Sequence, residues 1–173
     1  MIQDLVKKLR TVPDYPTKGI LFYDVTTLFK DPDALREILD TLYDTYKDKG
    51  ITKVVGVESR GLVLAPALAI RLGAGFVPAR KPGKLPAETL SASYRKEYGF
   101  DGIEIHRDAL QPDDVVLVHD DLLATGGTIG AVVDLVRQFD VRQVYANFII
   151  EIDALDGRRH MSSDVEVTSL LHV

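Results

Sequence analysis

Apolar positions along the chain follow two rhythms. Ile2, Leu5, Val6 and Leu9 recur at helical spacing, with Lys7, Lys8 and Arg10 on the opposite face. Leu35, Ile38, Leu39, Leu42, Tyr43 and Tyr46 repeat that spacing over a longer stretch, opened by Asp31-Pro32 and stopped at Gly50. Asp caps helix starts, Pro is tolerated in the first turn, and Gly ends helices, so a helix is predicted here. Residues Gly61 to Leu72 predict another, apolar enough to be buried on most sides and closed by Gly73. Ile129, Val132, Val133, Leu135 and Val136 predict one more, reaching about Phe139.

Short apolar or β-branched runs separate these helices. Lys53 to Val57, Gly75 to Ala79, Val115 to His119, Gln143 to Ile150 and a last run near Val165, Val167 and Leu170 read as strands. Ile20 to Val25 reads as a short extended segment. Leu90 to Ile105 reads as two strands around Tyr98 to Gly102, a hairpin or mobile flap. Thr11 to Gly19 carries two prolines and a glycine and predicts no regular structure, whereas the polar run Asp153 to Met161 allows a helical turn. Strands alternating with helices predict an α/β fold built on a parallel sheet. Ligands of such sheets bind beyond the carboxyl ends of the strands. Three chemistry-bearing segments fall there: Glu58-Ser59-Arg60, Arg80-Lys81 and Asp120-Asp121.

Length and charge narrow the possibilities. A chain of 173 residues makes one well-packed domain and is too short for two ordinary ones. Net charge is −5 with no basic run, which argues against a nucleic-acid partner. Without cysteine there is no disulfide and no thiolate chemistry or metal site. The run Leu62 to Ile70 contains Pro66 and is too short to span a bilayer, so no membrane partner is expected. Met1-Ile2-Gln3-Asp4 lacks the basic and apolar regions of a signal peptide, and a cytoplasmic setting is expected.

The most informative stretch is Val115 to Ala131, V-V-L-V-H-D-D-L-L-A-T-G-G-T-I-G-A. A buried strand leads to two carboxylates, then to a glycine-rich loop, Ala124-Thr125-Gly126-Gly127-Thr128, and a helix. Paired glycines let backbone N–H groups converge on an anion, and the helix start adds its positive dipole end. Carboxylates beside such a site would repel a phosphate but accept hydrogen bonds from ribose hydroxyls. The run resembles the phosphoribosyl pyrophosphate signature of the type I phosphoribosyltransferases, in the form carried by members that act on adenine.

That resemblance extends from Pro13 to about Leu171 and has further implications. It implies the type I phosphoribosyltransferase fold: a central parallel sheet flanked by helices, a small hood and a mobile flap. Residues 1–30 would give the N-terminal helix and base-binding hood, and residues 90–106 the flap. Asp120 and Asp121 would hold the ribose hydroxyls, and Ala124, Thr125, Gly126, Gly127 and Thr128 the 5′-phosphate. Glu58-Ser59-Arg60-Gly61, on spacing alone a charged turn with Ser59 as a helix cap, matches the family's pyrophosphate loop with its strained non-proline peptide. Arg80, Lys81 and Lys84, on their own a solvated basic loop, match R-K-x-G-K-L-P and imply further pyrophosphate contacts, some from a neighbouring subunit. Glu97, in Ser91 to Gly99, matches the proposed general acid/base on the flap. Phe22 would stack on the base, Leu122 would cover its other face, and the backbone of Leu21 and Tyr23 would read its edge.

Three residues depart from the family pattern. Lys18 stands where proline is usual, Tyr23 where arginine is usual, and His119 where an apolar residue is usual. The implied reaction joins adenine to phosphoribosyl pyrophosphate and yields AMP and pyrophosphate, a purine-salvage step. Magnesium would be held mainly through substrate and water, and the chain would form a homodimer. The alternatives are a phosphoribosyltransferase for hypoxanthine, guanine or xanthine, or a non-catalytic phosphoribosyl pyrophosphate-binding regulator. A regulator would need a nucleic-acid-binding surface that this acidic chain lacks. A receiver-like domain would carry its acidic pair after the first strand, not late in the chain.

Overall fold

The computed structural model describes residues 1–95 and 99–173. A 3-10 helix, Ile2–Lys8, leads into β1 (Arg10–Pro13), β2 (Leu21–Asp24) and the short α1 (Thr26–Phe29). Then come α2 (Pro32–Tyr46), β3 (Lys53–Val57), α3 (Gly61–Leu72), β4 (Gly75–Ala79), β5 (Thr89–Arg95) and β6 (Phe100–His106). The chain closes with β7 (Val115–Leu123), α4 (Gly127–Arg137), β8 (Gln143–Glu151), the 3-10 turns Asp153–Leu155 and Gly157–His160, and β9 (Glu166–His172).

Five strands form a parallel sheet in the order β4-β3-β7-β8-β9, while β1-β2 and β5-β6 are separate antiparallel pairs. Helices cover both faces of the large sheet, which is why its strands carry near-continuous apolar runs. Ile38, Leu42 and Tyr46 of α2 and Leu64 and Leu68 of α3 pack with Val54, Leu117 and Ile149 on one face. Val132, Val133 and Val136 of α4 and Ile103 and Ile105 of β6 pack with Val55, Val116, Val118 and Phe148 on the other. Neighbouring strand residues thus go to opposite cores, as the strand period of two requires.

Strand order reverses between β3 and β7: one chain direction runs β3 to β4, the other β7 to β8 to β9. The crevice at the carboxyl ends of these two strands is therefore the switch point where open α/β sheets bind ligands. The α2 start follows expectation, with the Asp31 carboxylate accepting from the Asp33 and Ala34 amides at 3.0 and 3.2 Å. Gly73 ends α3 in the left-handed conformation, φ 66°.

Four local expectations are corrected. The first helix is 3-10, not α. Thr11 to Pro13 is not irregular: it lies in β1, because pairing with β2 supplies the ladder that the prolines obscure locally. The acidic pair sits within β7, since the strand continues to Leu123 alongside β8. Helix α3 is buried along one face only, with Val63 58% and Ile70 79% exposed on the other.

Candidate active site

Three segments meet at the switch point. After β3, the chain turns through Glu58, Ser59 and Arg60 into α3, and the Glu58–Ser59 peptide is cis. After β4 comes Arg80-Lys81. Within the last residues of β7 lie Asp120 and Asp121, and the glycine loop follows after Leu123.

The acidic pair is asymmetric. Arg60 donates from Nε to Asp121 Oδ2 at 2.6 Å, and Asp121 is almost fully buried. Asp120 lines the cleft, and its Oδ1 accepts from the Asp121 amide at 2.8 Å. Burial pushes the Asp120 pKa well up, and the Asp121 carboxylate pushes it further. Asp121 is thus the ion-paired member and Asp120 the member held toward its neutral form. Arg60 also lies over the Phe22 ring, 5.4 Å from its centroid, so one guanidinium links the acidic pair to that aromatic ring.

The basic loop is likewise held by its neighbours. Glu58 accepts from the Lys81 amide at 2.7 Å and from Arg80 Nη2 at 3.2 Å. Burial acts to raise the Glu58 pKa, but these donors outweigh it and the net shift is downward. Glu58 therefore orients Arg80 and Lys81. The Lys81 ammonium meets Asp101 and the Tyr94 hydroxyl of the flap pair β5-β6. Ser59 and Lys84 are exposed, and Lys84 sits further along the same loop. Glu97 lies outside the described residues.

Two adjoining cavities complete the site. A cleft of about 330 Å³ is lined by Asp120, Leu122 and every residue from Ala124 to Thr128. A larger apolar pocket of about 930 Å³ is lined by Leu21, Phe22, Tyr23 and Leu122, with Ala124 and Thr125 shared between the two. Tyr15 meets the edge of Phe22, ring centroids 5.1 Å apart. The structure thus brings together all four proposed base residues and the whole loop. Ile20, Ile152 and Leu155 also line the pocket and were not foreseen as site residues. Ile20 adjoins the matched segment and was within reach of sequence reasoning. Ile152 and Leu155 enter from beyond β8 with no local signal. Lys18 is exposed and does not line the pocket.

Behind the pair, His119 is fully buried and its Nδ1 lies 2.5 Å from Asn147 Oδ1, while His119 Nε2 and Asn147 Nδ2 have no partner among the described residues. Burial lowers the His119 pKa against the opposing effects of Asn147 and Asp121. Above about 6.5 the histidine is neutral in both the folded and unfolded chain. Below that pH the unfolded chain takes up the proton first. The stability contributed by neutral His119 is therefore present above the unfolded pKa and is lost as pH falls toward the depressed folded value. His119→Leu should flatten the fall in melting temperature on acidification below about pH 6.5. Parallel slopes in wild type and variant would exclude His119 as the cause.

Residues 24–169 match the Phosphoribosyl transferase domain family. Adenine phosphoribosyltransferase of Bacteroides fragilis is 60% identical over 165 residues, covering 95% of this chain and 93% of that protein. The crystal structure of adenine phosphoribosyltransferase from Rhodothermus marinus superposes with a TM-score of 0.94 at 46% identity, covering 99% of this chain and 98% of the other. The Saccharomyces cerevisiae enzyme, solved with D-2,5-dideoxy-2,5-imino-altritol 1,6-bisphosphate and adenine, gives 0.91 at 39% identity, with 98% of each chain covered. With a glycine loop, an acidic pair and an apolar pocket at the switch point, and with these likenesses over nearly its whole length, the chain belongs to the phosphoribosyltransferase family, in its adenine phosphoribosyltransferase branch.

Proposed function

We propose that this protein transfers the phosphoribosyl group of 5-phosphoribosyl 1-pyrophosphate to adenine, releasing AMP and pyrophosphate in purine salvage. The observation that carries this reading is the shared wall of the two cavities. An uncharged pocket for a planar base adjoins an amide-lined cleft for a phosphate, with Asp120 at the cleft wall. The relatives named adenine phosphoribosyltransferase, and the adenine in the yeast complex, agree with it.

In the reaction, adenine N9 forms a bond to ribose C1′ as the bond to the pyrophosphate oxygen breaks, and the N9 proton is released. Backbone N–H groups of Ala124 to Thr128 anchor the 5′-phosphate far from the reacting carbon, so their binding energy serves to position it. Positive charge developing on the ribose is favoured by the negative potential of the acidic pair beside it. Arg60 and Arg80 offer their cations to pyrophosphate. Lys81 joins them by exchanging Asp101 for a pyrophosphate oxygen, which couples ligand arrival to the flap. Lys84 lies further out on the same loop and Ser59 beside Arg60. Flap closure would exclude water.

Magnesium belongs to this reading as a companion of the substrate. Asp121 is occupied by Arg60, and Asp120 is held toward its neutral form. That donor set fits an ion carried in on substrate oxygens and water and gives no all-protein cage. When bound, the ion neutralises charge on the departing pyrophosphate.

Two copies form the working unit in this reading. Val63 and Ile70 are exposed on the outward face of α3, and Phe76 is exposed on the edge strand β4. No helix of the described residues is long and apolar enough to cross a membrane. A highly charged sugar pyrophosphate does not cross a bilayer unaided, so the cytoplasm is the setting this substrate implies. Incubation with phosphoribosyl pyrophosphate, magnesium and a panel of bases tests the function. AMP should be the nucleotide found by mass, from a species of twice 19.2 kDa; no nucleotide from any base would overturn the assignment.

The acidic pair divides its work. Asp120→Asn and Asp121→Asn should each slow turnover more than they weaken AMP binding. Asp121→Asn should also lower the melting temperature more, because it strands the half-buried Arg60 cation. Equal losses in rate and affinity would show ground-state anchoring instead. For Glu97, proposed as the group that handles the N9 proton, Glu97→Gln should cut single-turnover rates about 10²-fold or more with substrate binding kept. A fully active variant removes it from the mechanism.

A further inference from the structure

Two backbones meet beneath the phosphate loop with no side chain between them. Gly126 holds φ +84°, and a Cβ there would collide with the carbonyl oxygen of Gly157. Conversely, a Cβ on Gly157 would collide with the Ala124 carbonyl oxygen and stand 2.8 Å from Leu123 Cδ1. In the first turn of α4, a Cβ on Gly130 would stand 2.9 Å from the His160 carbonyl oxygen. The turn Gly157–His160 therefore lies flat against the loop and the start of α4.

That turn is itself tied to the sheet. Arg158 donates from Nε and Nη2 to the two carboxylate oxygens of Glu151 at 2.8 and 2.7 Å, and from Nη1 to the Val167 carbonyl at 3.1 Å. Glu151 is only 6% exposed and ends β8, so the fork is anchored in the sheet rather than on a mobile surface.

A loop with paired glycines has the most backbone freedom to lose on gripping an anion. Ordering it at the moment of binding would subtract from affinity, whereas a loop ordered beforehand avoids that cost. We propose that Gly157 is a positioning residue for the phosphate loop, held in place by Arg158, and that this buttress sets affinity for the phosphate end of the substrate. The proposal rests on the reading of Ala124 to Thr128 as the 5′-phosphate site. Neither Gly157 nor Arg158 touches substrate in it.

Gly157→Ala and Arg158→Gln test it in the full-length chain. The second variant removes the anchor without adding a clash, and so covers the case in which the first does not fold. Each should raise KM for phosphoribosyl pyrophosphate and weaken calorimetric binding of ribose 5-phosphate by about tenfold or more. KM for adenine should rise much less, because only Ala124 and Thr125 of the loop also line the base pocket, whereas a general loss of structure would raise both KM values alike. Unchanged phosphate affinity in Arg158→Gln, or an equal rise in both KM values, overturns the proposal. A wild-type protein that makes AMP but does not bind ribose 5-phosphate would instead overturn the assignment of the loop.

Discussion

Gly127→Val should leave a folded protein that has lost AMP binding. Gly127 opens α4 with no left-handed strain, and a Cβ there meets nothing closer than Tyr94 Cδ2 at 4.0 Å. The fold therefore tolerates a side chain. The ligand does not, because Gly127 lines the cleft and the neighbouring space under Tyr94, and branched methyls would occupy it. Hydrogen bonds from backbone amides to a charged group contribute about 1.5–3 kcal/mol each. Losing two of them corresponds to about 10²–10⁴ in affinity, so a fall of at least about 10²-fold is expected. Calorimetric titration with AMP measures it, alongside a thermal melt. Wild-type affinity in a folded variant would remove the loop from phosphate binding. Gly126→Ala should behave differently and damage the fold itself, because Gly126 is left-handed and abuts Gly157.

The second large effect is base choice. Adenine presents an amino donor at position 6 and an acceptor at N1, whereas hypoxanthine presents a carbonyl and an N–H. Leu21 and Tyr23 are two apart in β2, so their backbone groups point to one edge. A carbonyl from one and an amide from the other suit adenine and oppose hypoxanthine at both positions. Each buried mismatch costs roughly 1–3 kcal/mol, so two give about 10²-fold or more. Among the described residues the pocket lining carries no charged side chain to rescue a 6-oxo group, and Lys18 is exposed and does not line it. Adenine should therefore be preferred over hypoxanthine and guanine by at least about 10²-fold in kcat/KM. Equimolar adenine and hypoxanthine in competition decide the matter. Substantial IMP formation would show that the pocket reads 6-oxopurines.

The amino-acid sequence by itself determined the elements whose signals are local. Lys53–Val57, Gly61–Leu72 and Gly75–Ala79 begin and end where β-branched runs, apolar periodicity and Gly73 place them. It also determined the content of the site, because the acidic pair, the glycine loop and the Phe22 segment are contiguous runs. Tertiary structure decided how those groups pair. Asp120 and Asp121 are neighbours of identical chemistry, but Arg60, sixty-one residues away from Asp121, makes that one an ion pair, while burial and the neighbouring Asp121 carboxylate hold Asp120 toward neutral. On spacing alone Glu58 reads as part of a charged turn, and the folded chain shows its carboxylate accepting from Arg80 and the Lys81 amide. β1 exists because β2 returns beside it. Leu155 and Gly157 reach the pocket and the glycine loop only because β8 carries the chain past them. A residue's charge state and partner depend on burial and on contacts between distant segments, and neither is encoded in the spacing of residues along a strand or helix.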